Sequence, residues 1–117
     1  MKKILLVDDD HAIQLLYQEE FSDEGYNVVS AFNGDEALKL FGTDQPDLVI
    51  LDIQMPGLNG IEVLRQMKMI NSSVPIILSS AYHEYKQDLG AWASDDYVVK
   101  SSDLTDLKNA VRRLLDE

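Results

Sequence analysis

Apolar residues along the chain form two kinds of pattern, and the two kinds alternate. Short apolar runs with little polar interruption are typical of strands covered on both faces of a sheet. They are predicted at residues 3–7, 27–31, 48–51, 75–78 and 97–99. Between them, apolar residues recur at three- and four-residue steps, which is typical of amphipathic helices. The sequence therefore predicts strands and helices in alternation.

The predicted helices begin and end at recognisable signals. The first begins near residue 11, where Asp9 or Asp10 can cap its N-terminus. Within it, three- and four-residue steps link Ile13, Leu16, Tyr17, Glu20 and Phe21, with polar residues between them. The other helices are predicted at residues 35–41, 61–69, 83–92 and 103–115, the last with Asp103 as its cap.

Strands that alternate with helices are expected to be parallel, because each helix carries the chain back across the sheet through a right-handed crossover. Helices then cover both faces of the sheet. The sequence thus predicts an α/β fold with a doubly wound, five-stranded parallel sheet. A single domain over residues 1–117 suits this chain length.

One apolar run ends abruptly in a charged residue, Asp52. Met55, Pro56 and Gly57 then stop the strand, because proline lacks an amide donor and glycine permits a tight turn. A new helical pattern starts at Gly60. Asp52 is therefore expected at the carboxyl end of a strand, the edge of an open α/β sheet where ligands bind. Taken alone, it could also be an ordinary strand-ending or helix-capping aspartate.

The other strand ends are polar as well, and parallel strands bring their carboxyl ends to one edge of the sheet. These ends carry Asp8 and Asp9, Asp52, Ser79 and Ser80, and Lys100. Each residue has an ordinary interpretation as a cap, a loop donor or a surface charge. Carboxylates, hydroxyls and an ammonium group at the same edge instead indicate a site.

The chemistry of that set favours phosphoryl transfer. Closely packed carboxylates repel one another, and a hard divalent cation such as Mg²⁺ relieves the repulsion through oxygen ligands. Asp52 is then a candidate nucleophile toward phosphorus. Lys100 can pair with Asp52 at rest or neutralise a phosphoryl oxygen, and Ser80 can donate to another.

The composition of the chain limits which classes of partner and which cell compartment are expected. The formal net charge of −11 disfavours nucleic acid and anionic membranes as direct partners. The chain has no cysteine, so it lacks disulfides and thiolate metal sites, and we expect a cytoplasmic protein. No window approaches the roughly 18–20 apolar residues that span a membrane. The N-terminal apolar run is too short for a signal peptide, and no glycine-rich phosphate loop indicates a nucleotide site.

Five segments, in their order and spacing, resemble the receiver domain of two-component response regulators, which has the CheY-like fold. They are Ile4-Leu-Leu-Val-Asp-Asp-Asp10, Pro46-Asp-Leu-Val-Ile-Leu-Asp52, Met55-Pro56-Gly57 with Gly60, Pro75-Ile-Ile-Leu-Ser-Ser-Ala81 and Asp96-Tyr-Val-Val-Lys100. The resemblance covers nearly the whole chain. It implies a flavodoxin-like (βα)5 fold with strand order 2-1-3-4-5.

The resemblance also implies a role for each site residue. Asp52 is similar to the phosphoacceptor of the family, and Lys100 to its lysine. The implied ligands of Mg²⁺, with Mn²⁺ as an alternative, are Asp52, Asp9 directly, Asp8 through water and the backbone carbonyl of Gln54. Ser80, rather than Ser79, resembles the switch hydroxyl, and Tyr97 resembles the switch aromatic, although a half-buried strand tyrosine is an equal alternative from the residues alone.

The function implied is a phospho-accepting signalling switch rather than an enzyme, acting at most on its own phosphorylation and dephosphorylation. A sensor histidine kinase or phosphotransfer protein would donate the phosphoryl group to Asp52. Output would pass to an effector protein through the face formed by the fourth helix, the fifth strand and the fifth helix.

Two alternatives stay open. A pseudo-receiver would bind a partner without phosphorylation, and Ser101 raises this alternative, since the family usually places a proline with a cis peptide bond after its lysine. A cis bond to a residue other than proline costs about 2.5–4 kcal/mol, so either this bond is trans and the loop differs, or the fold carries the strain. An aspartyl phosphohydrolase would need a second carboxylate at the position of Gln54.

Overall fold

A computed structural model describes residues 1–54, 57, 59–80, 94–101 and 103–116 of the chain. The strands are β1 (Lys3–Val7), β2 (Asn27–Ala31), β3 (Leu48–Asp52), β4 (Ile76–Ser80) and β5 (Asp96–Val99). The helices within the described ranges are α1 (His11–Asp23), α2 (Gly34–Asp44), α3 (Gly60–Ile70) and α4 (Thr105–Asp116). The helix predicted at residues 83–92 and the turn residues Met55 and Pro56 lie outside the described residues.

The strands form one sheet in the order β2-β1-β3-β4-β5, and every neighbouring pair is parallel. This confirms the predicted fold class and strand order. The register places Val7 beside Leu51 and Asp52 beside Ser79. The carboxyl ends of β1, β3 and β4 therefore lie next to one another, with β3 in the middle.

Two hydrophobic clusters cover the two faces of the sheet. One joins the sheet to α2 and α3 and includes Phe41 and Met67, and the other joins it to α1 and α4 and includes Phe21 and Val111. Successive strand residues point alternately into the two clusters. All five residues of β3 are buried, which explains why this strand shows no polar alternation.

Several elements differ in their bounds from the prediction, α2 and β4 among the most. The predicted helix at 35–41 extends to Asp44, after which Gln45 ends it with a left-handed φ of 48°. β4 occupies residues 76–80 rather than 75–78, because Ser79 still pairs with β3 and both serines pair with β5. The two serines are thus part of the sheet and not of the loop after it.

The last helix begins at Thr105, two residues later than predicted. The Asp103 carboxylate accepts hydrogen bonds from the Thr105 amide at 2.9 Å and from the Thr105 hydroxyl at 2.6 Å. The first helical backbone bond instead joins the Lys108 amide to the Leu104 carbonyl at 2.8 Å. Asp103 therefore forms a turn one residue before the cap position, so the predicted cap was wrong by one residue.

The recurring residues of α1 do not all lie on its buried face. Leu16 is 45% exposed, whereas Gln14, Tyr17 and Phe21 are buried. The buried stripe follows steps of three and four residues from Gln14, so Leu16 lies beside it.

No helix in the described part of the chain combines the length and apolarity needed to cross a bilayer.

Candidate functional site

The candidate site lies at the carboxyl edge of the sheet, where four strands deliver polar residues. Asp8 follows β1, Asp52 ends β3, Ser80 ends β4 and Lys100 follows β5. Parallel pairing fixes their relative positions, since Asp52 lies beside Ser79 and Ser80 lies beside Val99. The Lys100 amide continues this pairing by donating to the Ser80 carbonyl at 2.6 Å.

Three carboxylates converge at this edge. Asp8, Asp9 and Asp52 each offer an oxygen, and these oxygens lie within 4.8 Å of one another. Asp8 and Asp52 are 2% and 4% exposed, whereas Asp9 is exposed. A set of hard oxygen donors with one open side fits Mg²⁺, which keeps several waters and binds through one or two carboxylates.

Asp10, not Asp9, caps α1. Its carboxylate accepts from the amides of Ala12 at 2.9 Å and Ile13 at 3.3 Å. The sequence left both residues open as caps. Because Asp10 takes this position, the carboxylate of Asp9 belongs to the acidic cluster.

Lys100 bridges two of the carboxylates. Its Nζ lies 2.8 Å from Asp8 Oδ2 and 3.4 Å from Asp52 Oδ2. Burial alone would lower the pKa of Lys100, but the hydrogen bond with Asp8 and the charges of both aspartates outweigh it, so its pKa lies above the ordinary value. Lys100 is therefore charged at neutral pH and partly balances the buried carboxylates.

Burial dominates the ionisation of Asp52. It raises the pKa of this carboxyl from 3.8 to about 6, against the opposing effect of the Lys100 charge. The negative charge of Asp8 adds to the increase, and the hydrogen bond from the Gln54 amide, at 3.2 Å, works against it. Asp52 is mostly ionised at neutral pH but poorly solvated, as a nucleophile held in a confined site should be.

The strand end that carries Asp52 is held by the start of α3. The Gly60 amide donates to the Ile53 carbonyl at 2.8 Å, and the Ile53 amide donates to the Ser79 carbonyl at 3.2 Å. A β-carbon on Gly60 would lie 2.4 Å from the Asp52 carbonyl oxygen and 2.5 Å from the Ile53 Cα. Glycine is required here because the helix packs directly against the backbone of the strand.

The predicted switch residues lie beside this cluster. Ser80 is fully buried, and the Ser79 hydroxyl is buried without a hydrogen-bond partner among the described residues. Tyr97 is half-buried in β5, pairs in register with Leu78 and packs against the cluster that joins the sheet to α2 and α3. Direct contact within the site therefore joins Lys100 to Asp8 and Asp52, while the two serines and Tyr97 occupy neighbouring strands.

The bond between Lys100 and Ser101 is trans, since the described residues contain no cis peptide bond. The Ser101 hydroxyl accepts a hydrogen bond from the Asp103 amide at 3.1 Å. A proline at this position has no hydroxyl and could not accept this bond. The sequence left open whether this bond is trans or cis, and the structure shows the trans bond.

Replacing Ser101 with alanine is expected to lower the free energy of unfolding by about 0.5 kcal/mol, because an exposed hydrogen bond contributes little. Urea denaturation measures the difference. Ser101→Thr is the matched control, since threonine keeps the hydroxyl and should retain wild-type stability. Equal stabilities of the alanine and threonine variants would show that the hydroxyl does not hold this loop.

Sequence reasoning missed two residues at this edge, Gln14 and Gly60. Gln14 is 2% exposed and its amide contacts the backbone of Asp8, at 3.0 Å. Its spacing from Tyr17 and Phe21 marks an inward position, so the signal was a polar residue on a buried stripe. Gly60 was noted as a helix start and as part of a family motif, but the close approach that requires glycine appears only in three dimensions.

The fold and the acidic edge define a receiver domain. A profile described as the response regulator receiver domain matches residues 4–112, and the chain belongs to this family. Response regulator receiver domains are signalling modules.

Curated relatives agree with this assignment. Sporulation initiation phosphotransferase F of Bacillus subtilis (strain 168) is 38% identical over 119 residues, covering 97% of this chain and 94% of that protein. The alkaline phosphatase synthesis transcriptional regulatory protein PhoP of the same organism is also 38% identical, over 97% of this chain but 48% of its own length. The chain thus spans nearly all of one relative and about half of another.

Solved structures give the same result. The response regulator TrrA of Thermotoga maritima, solved in complex with Mg²⁺-BeF, has a TM-score of 0.96 and 49% identity, over 98% of this chain and 100% of that one. A complex of the histidine kinase ThkA with TrrA matches with a TM-score of 0.93 and 48% identity, over 98% of this chain and 99% of that one.

Proposed function

We propose that this chain is a phosphoryl-accepting signalling switch. A histidine kinase or phosphotransfer protein donates the phosphoryl group from a phosphohistidine to Asp52. A bond forms between a carboxylate oxygen of Asp52 and phosphorus as the phosphorus–nitrogen bond breaks, and the electron pair returns to the imidazole. The observation that carries the proposal is the cluster of Asp8, Asp9 and Asp52 around the Lys100 ammonium.

The carboxylates and Lys100 have different roles in the proposed reaction: the carboxylates hold the cation, and Lys100 balances negative charge. When Mg²⁺ is bound, it neutralises phosphoryl oxygens and the carboxylate charge. Asp9 would supply its exposed carboxylate as a direct ligand, Asp8 would bind through water, and Asp52 and the Gln54 carbonyl would be the remaining protein ligands. Lys100 lies within 3.4 Å of Asp52 and can follow the new negative charge onto the phosphoryl group.

Two comparisons support this reading of the site. TrrA, which shares 49% identity with this chain, was solved with Mg²⁺-BeF, and it was also solved in complex with the histidine kinase ThkA. A histidine kinase is therefore the partner class we propose for this chain, and Mg²⁺ is the proposed cofactor, with Mn²⁺ as an alternative.

The signal passed to an effector protein follows from the negative charge that phosphorylation adds. The aspartyl phosphate shifts a two-state equilibrium in which Ser80 moves toward the phosphoryl group and Tyr97 turns inward. The proposed effector-binding face comprises β5 and α4, together with the helix predicted at residues 83–92, which lies outside the described residues. The chain acts at most on its own phosphorylation and dephosphorylation.

Incubation with acetyl phosphate and Mg²⁺, followed by intact-mass measurement, tests the proposal. We expect the addition of one phosphoryl group, which is absent without Mg²⁺ and in Asp52→Asn. The matched control is Asp35→Asn, which removes an exposed aspartate in the first turn of α2 and should be phosphorylated normally. If folded wild-type protein gains nothing, or if Asp52→Asn is still modified, the proposal is refuted, and a lack of any modification favours the pseudo-receiver.

A further inference from the structure

Gln14 is a buried amide in α1 that the two hydrophobic clusters do not account for. Its side chain is 2% exposed, and it lies three and seven residues before the buried Tyr17 and Phe21. An apolar side chain could fill this position without burying polar atoms. The contacts of the amide therefore indicate what the residue does.

The amide group joins the carboxyl ends of two strands. Nε2 of Gln14 donates to the carbonyls of Leu6 at 3.1 Å, Asp8 at 3.0 Å and Ala31 at 2.8 Å. The Ala31 carbonyl also accepts from the Asp8 amide at 3.1 Å. One side chain thus ties the end of β1 to the end of β2 and fixes the backbone of Asp8 between them.

The orientation of this amide follows from its surroundings. If the group were turned around, Oε1 would face three carbonyl oxygens, and acceptors repel one another. In the observed orientation, the buried Oε1 accepts no hydrogen bond from any described residue. An unpaired buried acceptor is unfavourable, so the bonds from Nε2 must outweigh its burial.

The carboxylate of Asp8 is held at the same time. Its Oδ1 accepts from the Asp10 amide at 2.9 Å, and its Oδ2 accepts from Lys100 Nζ at 2.8 Å. These two bonds can form together only if the backbone of Asp8 keeps its place. Two contacts hold that backbone: the Asp8 carbonyl accepts from Gln14 Nε2, and the Asp8 amide donates to the Ala31 carbonyl.

We infer that Gln14 is a positioning residue for the acidic site: by holding the Asp8 carbonyl against the end of β2, it directs the Asp8 carboxylate into the cluster with Asp9 and Asp52. Gln14 itself contacts neither the phosphoryl group nor the cation. The inference rests on the proposed function, because its consequence is tighter binding of Mg²⁺.

The test compares two equal substitutions in the same helix. Gln14→Met removes the amide and keeps the length of the side chain. Gln18→Met removes an amide one turn later, which donates to the Ser30 hydroxyl in β2 and not to Asp8. Calorimetric titration with Mg²⁺ should show an affinity about tenfold lower in Gln14→Met, since residues that orient metal ligands have effects of this size. The affinity of Gln18→Met should equal that of the wild type.

A second measurement needs no metal. Hydrogen exchange of the Asp10 amide, followed by NMR with EDTA present, reports the bond to Asp8 Oδ1. Exchange should be at least several-fold faster in Gln14→Met and unchanged in Gln18→Met. If Gln14→Met fails to fold, Gln14→Asn replaces it, because its amide is one methylene too short to reach all three carbonyls.

The outcomes separate the inference from the proposed function. Equal Asp10 exchange in the Gln14 and Gln18 variants overturns the inference, whatever the Mg²⁺ affinity. Faster exchange with unchanged Mg²⁺ affinity also overturns it, because Gln14 would then be structural only. If the wild type binds no Mg²⁺ at all, the proposed function fails, and the exchange measurement alone decides whether Gln14 positions Asp8.

Discussion

Gly60→Ala is expected to lower the free energy of unfolding by about 3 kcal/mol, at the upper end for overpacked sites. The added β-carbon would lie 2.4 Å from the Asp52 carbonyl oxygen and 2.5 Å from the Ile53 Cα, closer than real β-carbons approach other atoms. Both neighbours are backbone atoms of the strand end, so no side chain can rotate away. Either α3 or the end of β3 has to shift.

The matched control is Gly42→Ala in α2. Gly42 also lies in a helix, but nothing lies within 4 Å of the position of its β-carbon. Alanine there should raise the free energy of unfolding by up to about 1 kcal/mol, because alanine is the better helix former. Urea denaturation followed by circular dichroism measures both variants. A Gly60→Ala protein as stable as Gly42→Ala would mean that α3 moves freely relative to β3.

The same substitution should reduce phosphorylation. The Ile53 carbonyl accepts from the Gly60 amide at 2.8 Å, so a shift of α3 is transmitted directly to the residue after Asp52. Displacement of a reacting group by about 1 Å can cost a hundredfold in rate. In acetyl phosphate labelling at a temperature where the variant is folded, we expect Gly60→Ala to react far more slowly than Gly42→Ala.

The fold was readable from the sequence because periodicity and strand ends carried consistent information. The uninterrupted run before Asp52 predicted a strand buried on both faces, and all of β3 is buried. Element boundaries were less certain, since pairing partners determine them. Ser79 and Ser80 continue β4 because β5 extends beside both of them and β3 extends beside Ser79, and no local feature of the two serines indicates this.

The site was predictable to a different extent for each residue. Asp8, Asp9, Asp52 and Lys100 follow from one rule, that parallel strands bring their carboxyl ends together. In the structure Lys100 contacts Asp8 and Asp52, and oxygens of the three aspartates lie within 4.8 Å of one another. Gln14 could not be predicted from that rule, because it lies in a helix and acts on the site through the backbone of the strand ends. Contacts between a side chain and the backbone of another element leave little trace in periodicity, so they appear only in the structure.

Asp52→Asn is expected to stabilise the protein at pH 7 in metal-free buffer by about 1–2 kcal/mol. The pKa of Asp52 is raised from 3.8 to about 6 when the protein folds, mainly by burial. Between roughly pH 4 and 6, the folded state keeps a proton that the unfolded chain has released, so stability falls as pH rises through this window. At about 1.4 kcal/mol per pH unit the full effect is at most about 3 kcal/mol, and solvent screening at the site reduces it.

Replacing Asp52 also removes its ion pair with Lys100, but this loss is small. The closer partner of Lys100 is Asp8, at 2.8 Å, and that bond remains. Asp9→Asn is the control: it removes the same charge from an exposed side chain, so it should gain less. Urea denaturation with EDTA at pH 7 and pH 4 measures the effect. Because wild-type Asp52 is protonated in the folded state at pH 4, the advantage of asparagine should largely disappear there. An undiminished advantage at pH 4, or an Asp52→Asn protein less stable than wild type at pH 7, would show that burial of this carboxylate is not what opposes its ionisation.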